Sequence, residues 1–452
     1  MAVYEQVFRR VLYPLWESGL RRRGTLRYLA EYEANQWLSP EALDALQWRK
    51  LQALLAHCWE QVPYYRERWR ALGITAPEDI RKRQDFARLP SLTKADIRDN
   101  FQALQASNLH GQVLYKNTGG STGVPLRFGY TRESNDRRSA VMWRGYGWAG
   151  ARMGRRALFL WGGAVGDPSR AHLVKDRLYH AAFNRRIVNT FDMTEANMAR
   201  YADAIDRAKP DIIVAYVGPL VRLGQWLLAT GRRVHAPVSL LGAAEPLYEF
   251  QRDIIERAFG GRMYNTYGCR EFMLVASECG ERDGLHVNAD HLLVETDSAN
   301  GGELAITDLH NYGMPFIRYV NGDLATPMPG QCACGRGLPR LAHIDGRKLD
   351  ALRTAQGHLL PGEFFPHMLK DVAGLRQYQV VQQRLDRLDI SLVRGNGFEE
   401  GALDYIRREV AKVVGDAWQL DFHFVEHIAP NASGKFRVTR CELPVGGEGV
   451  QS

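Results

Sequence analysis

Apolar residues recur close to every 3.6 positions through Leu43, Leu46, Leu51, Leu54, Leu55, Cys58 and Val62, which predicts an amphipathic helix. Ser39 stands where an N-cap belongs, Pro40 takes the first helical position, and Pro63 ends the run. Pro90-Ser91-Leu92-Thr93-Lys94-Ala95-Asp96-Ile97 is a second capped helix start. Residues 1–110 therefore read as a mostly helical leader that packs on another part of the chain and shows no chemistry of its own.

From 113 to 345 the pattern changes to short β-rich runs alternating with helical ones. Ala157-Leu158-Phe159-Leu160-Trp161 ends in Gly162-Gly163. Asp211–Val217 ends in Gly218-Pro219, and a helical pattern follows through Leu220, Leu223, Leu227 and Leu228. Ser239–Ala244 is another strand ending in small residues. Such alternation predicts α/β architecture with mostly parallel strands. Ligands in these folds sit beyond the carboxyl ends of the strands, where Ala243-Ala244-Glu245-Pro246 and Tyr267-Gly268 both fall. Residues 351–441 read instead as a small α+β domain. Its strands are predicted at Tyr378–Gln382, Leu388–Val393 and Phe422–Val425, with a helix through Leu403, Ile406, Val410 and Val413 closed by Gly415. The expected division is a large domain over 1–346 (leader 1–110, core 111–346) and a small one over 347–452.

The length of 452 residues suits two or three domains at roughly 100–200 residues each. No stretch approaches the roughly 18 uninterrupted apolar residues of a membrane span. The first ten residues lack the basic-then-apolar order of an export signal, so a cytoplasmic location is expected. The net charge of +8 is spread along the chain, and its densest run, Arg21-Arg22-Arg23, is short. An anionic small substrate accounts for this basicity without nucleic acid. Six cysteines in this length do not make a disulfide framework.

Two stretches carry candidate chemistry. Thr118-Gly119-Gly120-Ser121-Thr122-Gly123-Val124-Pro125 lies between the apolar runs Val113–Tyr115 and Leu126–Tyr130. Its glycines allow backbone N–H groups to turn toward one point, and Thr118, Ser121 and Thr122 add hydroxyls, which suits a polyphosphate. It lacks the Gly-Lys-Ser/Thr of a Walker loop, and taken alone an ordinary glycine-rich hairpin is the commoner reading. Cys279 and His286, with Cys332 and Cys334 further on, supply three thiols and an imidazole, a set that suits a closed structural zinc site. Cys269 competes as the fourth ligand, and four unrelated side chains remain the alternative.

The glycine loop, Tyr264-Asn265-Thr266-Tyr267-Gly268-Cys269-Arg270-Glu271, Gly302-Glu303-Leu304, Ile317-Arg318-Tyr319-Val320-Asn321-Gly322-Asp323, Gly346-Arg347 and Ser433-Gly434-Lys435 follow one another in order. This succession resembles the adenylate-forming superfamily of acyl-CoA synthetases, adenylation domains and luciferase. Within it, Val62-Pro63-Tyr64-Tyr65, Leu89–Lys94 and Cys332-x-Cys334-Gly335-Arg336 are similar to the phenylacetate–CoA ligase branch and its CapK-type capsule-biosynthesis relatives. The resemblance covers roughly residues 45–440 and implies the adenylate-forming fold, a large domain of layered sheets and helices with a smaller mobile one.

It also implies a reaction: ATP-dependent activation of a carboxylic acid, then transfer to CoA or another thiol, in polysaccharide or secondary-metabolite biosynthesis. An adenylyltransferase moving AMP onto a non-thiol acceptor is the alternative. By the same resemblance Thr118 to Gly123 hold the ATP phosphates, and Tyr267-Gly268 and Ala243, Ala244, Glu245 and Pro246 border the adenine. Glu271 matches the Mg²⁺ ligand, Asp323 the ribose acceptor, Arg347 the hinge arginine and Lys435 the mobile lysine. Three positions depart from the family pattern: Arg270 replaces a Ser or Thr, Gly119 replaces a Ser, and the hinge aspartate, Asp350, stands one place late.

Overall fold

A computed structural model gives the fold and describes residues 2–118, 126–161, 175, 178–190, 193, 195–297, 302–347, 352–355, 359–360, 364–369, 372–399, 401–415, 418–429 and 437–443. Gly119, Gly120, Ser121, Thr122, Gly123 and Lys435 therefore lie outside the described residues, and Arg347 is described by its backbone alone. The chain divides into two units, Met1–Asn321 with Ala325–His343, and Gly322–Leu324 with Ile344–Ser452.

In the first unit the predicted leader helix runs Pro40–Gln61, and the Ser39 hydroxyl accepts from the Ala42 N–H at 3.2 Å. Pro63 ends it and, at N1, begins a further helix, Pro63–Arg70. Thr93 caps Lys94–Asp99 in a reciprocal box with Asp96. Strands β1 (Leu114–Asn117) and β2 (Arg127–Tyr130) form an antiparallel pair. Next come β3 (Ala157–Trp161), β4 (Arg185–Asn189), β5 (Ile212–Tyr216), β6 (Ser239–Ala243) and β7 (Arg262–Tyr267). The series ends with β8 (Ala276–Glu278), β9 (Leu285–Val287), β10 (Leu292–Asp297), β11 (Glu303–Asp308), β12 (Tyr319–Met328) and β13 (Arg340–Arg347).

Strands β3 to β13 join one eleven-stranded sheet in the order β10-β11-β12-β13-β9-β8-β7-β6-β5-β3-β4. The half from β4 to β7 is parallel, whereas β7–β8, β8–β9, β9–β13 and β10–β11 are antiparallel. The expectation of mostly parallel strands is corrected here. No described helix follows β8 through β12, and strands joined without crossover helices return antiparallel.

The parallel half is covered on both faces, which is why β5 reads as an unbroken apolar run. Leu158, Leu160, Ile213, Ala215 and Leu240 meet the helices Met198–Ala208, Val217–Thr230 and Glu249–Phe259 on one face. Ile212, Val214, Leu241 and Tyr264 face Ala149 and Ala151 on the other.

The second unit holds β14 (Leu352–Arg353), β15 (Leu359–Leu360), β16 (Leu375–Arg384), β17 (Arg387–Arg394), β18 (Gln419–Phe424) and β19 (Thr439–Cys441). Four of these form a sheet in the order β18-β17-β16-β19. Leu388, Ile390 and Leu392 pack there against Ile406 and Val410 of the helix Gly401–Val414, which Gly415 follows in the left-handed region at φ +59°. The pattern predicted three of these strands and the helix; it missed β19, too short at three residues to show alternation. No described helix is long and apolar enough to cross a membrane.

Candidate active site and cysteine cluster

Tyr216 and Ala243 are paired in register at the carboxyl ends of β5 and β6, and Gly242 pairs with Asn265, so β7 ends beside them at Tyr267. The chain turns sharply at each end. Ala244 takes φ +67°, a left-handed conformation that costs a non-glycine residue roughly 1–2 kcal/mol. The Glu245 carboxylate accepts from the Gly218 N–H at 2.6 Å and so caps the helix after β5. A Cβ on Gly268 would stand 1.9 Å from the Met273 carbonyl oxygen, so only glycine fits beneath the 269–273 turn. Among the tryptophans Trp143, Trp148 and Trp161, Trp161 reaches these strand ends, where it stacks on Tyr216 at 4.3 Å. Trp148 donates to the Gln36 side chain, and Trp143 packs with Phe8, Tyr13 and Phe183.

The residues flanking the glycine loop are positioned by β1 and β2. Thr118 N–H donates to the Leu126 carbonyl at 2.8 Å, and Leu126 N–H donates back to the Thr118 hydroxyl at 2.9 Å. Arg270, which departs from the family pattern, donates to the Asn117 carbonyl at 2.7 Å, one residue before that closure. Lys116 lies over the Tyr130 ring, and burial with the charges of Arg138 and Arg270 holds its ammonium below the ordinary value. Lys116 and Arg270 thus bring positive charge to the strand end at Thr118, while Arg138 is neutralised by the buried Asp308 at 2.9 Å. Lys116 escaped sequence reasoning because it reads as one polar position of a short strand.

Two hydrogen bonds tie the end of β7 to β12. Asn321 donates from Nδ2 to the Tyr267 hydroxyl at 3.0 Å. The Tyr319 hydroxyl donates to Glu271 Oε1 at 3.0 Å. Glu271 is buried, and its second oxygen accepts no hydrogen bond from the described residues. Tyr319 is fully buried against Phe272 and Phe316. Neither Tyr319 nor Asn321 was singled out from sequence, although both lie inside the motif that ends at Asp323. Asp323 is itself buried on β12, just after Gly322 at φ +87°.

The ligating atoms of Cys279, His286, Cys332 and Cys334 all lie within 4.8 Å of one another. Cys279 Sγ stands 3.8 Å from Cys332 Sγ, and Cys334 Sγ 3.3 Å from His286 Nε2. The set closes with Cys334, not with Cys269. Cys279 follows β8, His286 sits within β9, and the other two come from a turn in which Gly335 takes φ +80° and donates to the Cys332 carbonyl. Burial pushes the Cys279 thiol up to about 12, with Cys334 and Cys332 adding to the shift, and pushes His286 down to about 4. Burial also raises Cys334, but hydrogen bonds from Arg336, Cys332 and Cys279 together outweigh it and hold that thiol below its ordinary value. The turn is strapped to the leader: Gly337 N–H donates to the Gln36 carbonyl at 3.1 Å and Arg336 to the Gln36 side chain at 2.8 Å.

Residues 352–442 match the CapK C-terminal domain. The phenylacetate–coenzyme A ligase of Escherichia coli (strain K12) is 30% identical over 369 residues, spanning 78% of this chain and 82% of that protein. Protein CapK of Staphylococcus aureus is 23% identical over 357 residues, 77% of this chain and 78% of its own. Among solved structures, 2-hydroxyisobutyryl-CoA ligase in its postadenylation state superposes with a TM-score of 0.68 at 20% identity, covering 91% of each chain, and shows the shared fold. Identity at this level across most of both sequences means that the chain belongs to the phenylacetate–coenzyme A ligase family of adenylate-forming enzymes.

Proposed function

We propose that the protein is an AMP-forming acid–thiol ligase that activates an aryl or acyl carboxylic acid with ATP. A carboxylate oxygen bonds to the α-phosphorus as the bond to the pyrophosphate oxygen breaks, giving acyl-adenylate and pyrophosphate. The sulfur of CoA, or of another thiol, then bonds to the acyl carbon, its proton passes to solvent, and AMP leaves with the former carboxylate oxygen. One observation carries this reading: the Tyr267–Asn321 and Glu271–Tyr319 hydrogen bonds join two motifs some 50 residues apart at the carboxyl end of β7. The chain in which they do so is 30% identical to a CoA ligase.

Residue roles follow from this placement. The cations Lys116 and Arg270 beside Thr118 support phosphate binding by the loop from Thr118 to Gly123. The Ala243–Pro246 turn and Tyr267 would border the adenine, Asp323 would accept the ribose hydroxyls, and Arg347 would serve at the hinge. Glu271 fits a Mg²⁺ ligand, being a buried carboxylate with one oxygen taken by Tyr319 and the other left over among the described residues. Bound there, Mg²⁺ would supply positive charge where phosphate oxygens and carboxylate meet. Lys435, on the small domain, would neutralise charge in the first half-reaction and leave for the second. The cysteine cluster would hold a structural zinc ion, since three sulfurs and a neutral imidazole at these separations are a tetrahedral donor set. The proposed setting is cytoplasmic, where thiols stay reduced.

ATP–pyrophosphate exchange across a panel of carboxylic acids, with and without CoA, tests the reading. Acid-dependent exchange followed by CoA-dependent release of AMP and a thioester is expected. AMP retained on an acceptor would replace it with an adenylyltransferase, and exchange with no acid would refute it.

A further inference from the structure

Residues 2–20 form a helix with two dissimilar faces. Phe8, Tyr13 and Glu17 are buried and hold it to the body of the first unit. Phe8 and Tyr13 meet Phe183 edge-on at 5.2 and 5.7 Å, the Tyr4 hydroxyl donates to the Ala182 carbonyl, and Glu17 accepts from Thr25 at 2.7 Å. The adjoining face is apolar and open. Leu20 is 76% exposed, Val3 72% and Leu15 61%, and Val7, Val11, Leu12 and Trp16 are exposed between them.

The winding keeps these side chains together. Val3, Val7, Val11 and Leu15 repeat every fourth residue, as do Leu12, Trp16 and Leu20. An α-helix of 3.6 residues per turn would carry such a series around its axis. Residues Phe8–Leu12 and Leu15–Leu20 are instead π-helical, with Tyr13 N–H bonded to the Phe8 carbonyl and Arg21 N–H to that of Trp16. The wider π turns drift the opposite way from the α turns beside them, so across the mixed helix a four-residue repeat stays on one side, and such turns are frequent at functional sites.

The charges bordering the stripe select its occupant. Glu5 is paired with Arg9 and Arg155, and Glu17 is buried beside Arg23, so both acids of the helix are neutralised. Arg10, Arg21 and Arg22 are exposed, and Arg21 lies over the Trp16 ring at 5.2 Å. An exposed apolar ridge carrying tryptophan, with cations at its border and no free acid among the described residues of the helix, complements an anionic lipid surface. A second copy of the chain would bring like-charged arginines toward one another. We propose that the Val3–Leu20 face docks on a membrane surface rich in anionic headgroups, lying in its plane without crossing it.

Co-sedimentation of the full chain with vesicles tests this, comparing phosphatidylcholine alone with phosphatidylcholine and phosphatidylglycerol at about three to one. Binding to the anionic vesicles about thirty-fold tighter is expected from the two arginines Arg21 and Arg22, falling as salt is added. Leu15→Glu should weaken it at least about ten-fold, and Arg21→Gln with Arg22→Gln should remove most of the preference. Since these side chains are exposed, both variants should melt like the wild type. Absence of binding to either vesicle, or binding unaltered in the variants, would overturn the proposal. So would a concentration-dependent dimer lost in Leu15→Glu without lipid binding, which would make the face a self-association surface.

Discussion

Replacing Cys332 with serine tests whether a metal ion holds the cluster beside β8 and β9. A tetrahedral site with Zn–S near ~2.3 Å and Zn–N near ~2.05 Å places sulfurs about 3.8 Å apart and sulfur about 3.5 Å from nitrogen. The sulfur pair stands at 3.8 Å and the sulfur–nitrogen pair at 3.3 Å, and no pair of ligand atoms exceeds 4.8 Å, so binding needs shifts of about one ångström at most. Little of the metal's binding free energy is then spent on rearrangement. Structural zinc sites are worth about 10–16 kcal/mol at neutral pH, comparable to the whole stability of a domain at about 5–15 kcal/mol. Serine cannot supply a thiolate, and losing a metal site costs at least about 4 kcal/mol. For a unit of this size that lowers Tm by about 6 °C or more.

The assay is metal analysis of protein purified without chelator, together with melting curves of wild type, Cys332→Ser and Cys441→Ser, the last a cysteine outside the cluster. About one zinc per chain is expected in the wild type and in Cys441→Ser, with both zinc and stability lost in Cys332→Ser. A wild type without zinc, whose melting a chelator leaves unmoved, would refute the metal site.

Asp323→Ala should weaken ATP binding by about 2–4 kcal/mol in calorimetry, the value of a charged acceptor for two hydroxyls. Lys435→Ala should slow pyrophosphate exchange by about 10²–10³ while leaving ground-state ATP affinity nearly intact. Arg144 makes two bonds to Asp290, at 2.8 and 2.7 Å, and one each to Asn288 and the Tyr32 carbonyl, all buried. Arg144→Met should therefore cost about 3–5 kcal/mol by urea unfolding, and adding Asp290→Leu should recover a large part. His291 and His310 stack at 5.4 Å, and burial holds both imidazoles well below their ordinary value. They stay neutral in the fold while the unfolded chain takes up protons below about pH 6.5, so stability should fall as pH drops through that value. Urea midpoints at about pH 7.5 and 5.5 check this, and His310→Gln should flatten the difference.

Local rules made much of this molecule legible in its sequence. Ser39-Pro40 and Thr93 are helix starts in the structure because capping depends on a few consecutive residues. The strands at Ile212–Tyr216 and Ser239–Ala243 were readable because burial on both faces demands an unbroken apolar run. Cys279, His286, Cys332 and Cys334 could be grouped by ligand chemistry, since few side chains bind a soft metal. Other features depend on contacts between residues far apart in the chain. Nothing in the run 317–323 says that Tyr319 reaches Glu271 or that Asn321 reaches Tyr267, because a strand's neighbours are set by the order of the sheet. The choice of Cys334 over Cys269 was likewise tertiary, decided by the turn at Gly335 and its attachment to Gln36. The parallel-to-antiparallel change after β7 escaped the pattern because apolar alternation fixes which face of a strand is buried but not the direction of its neighbour.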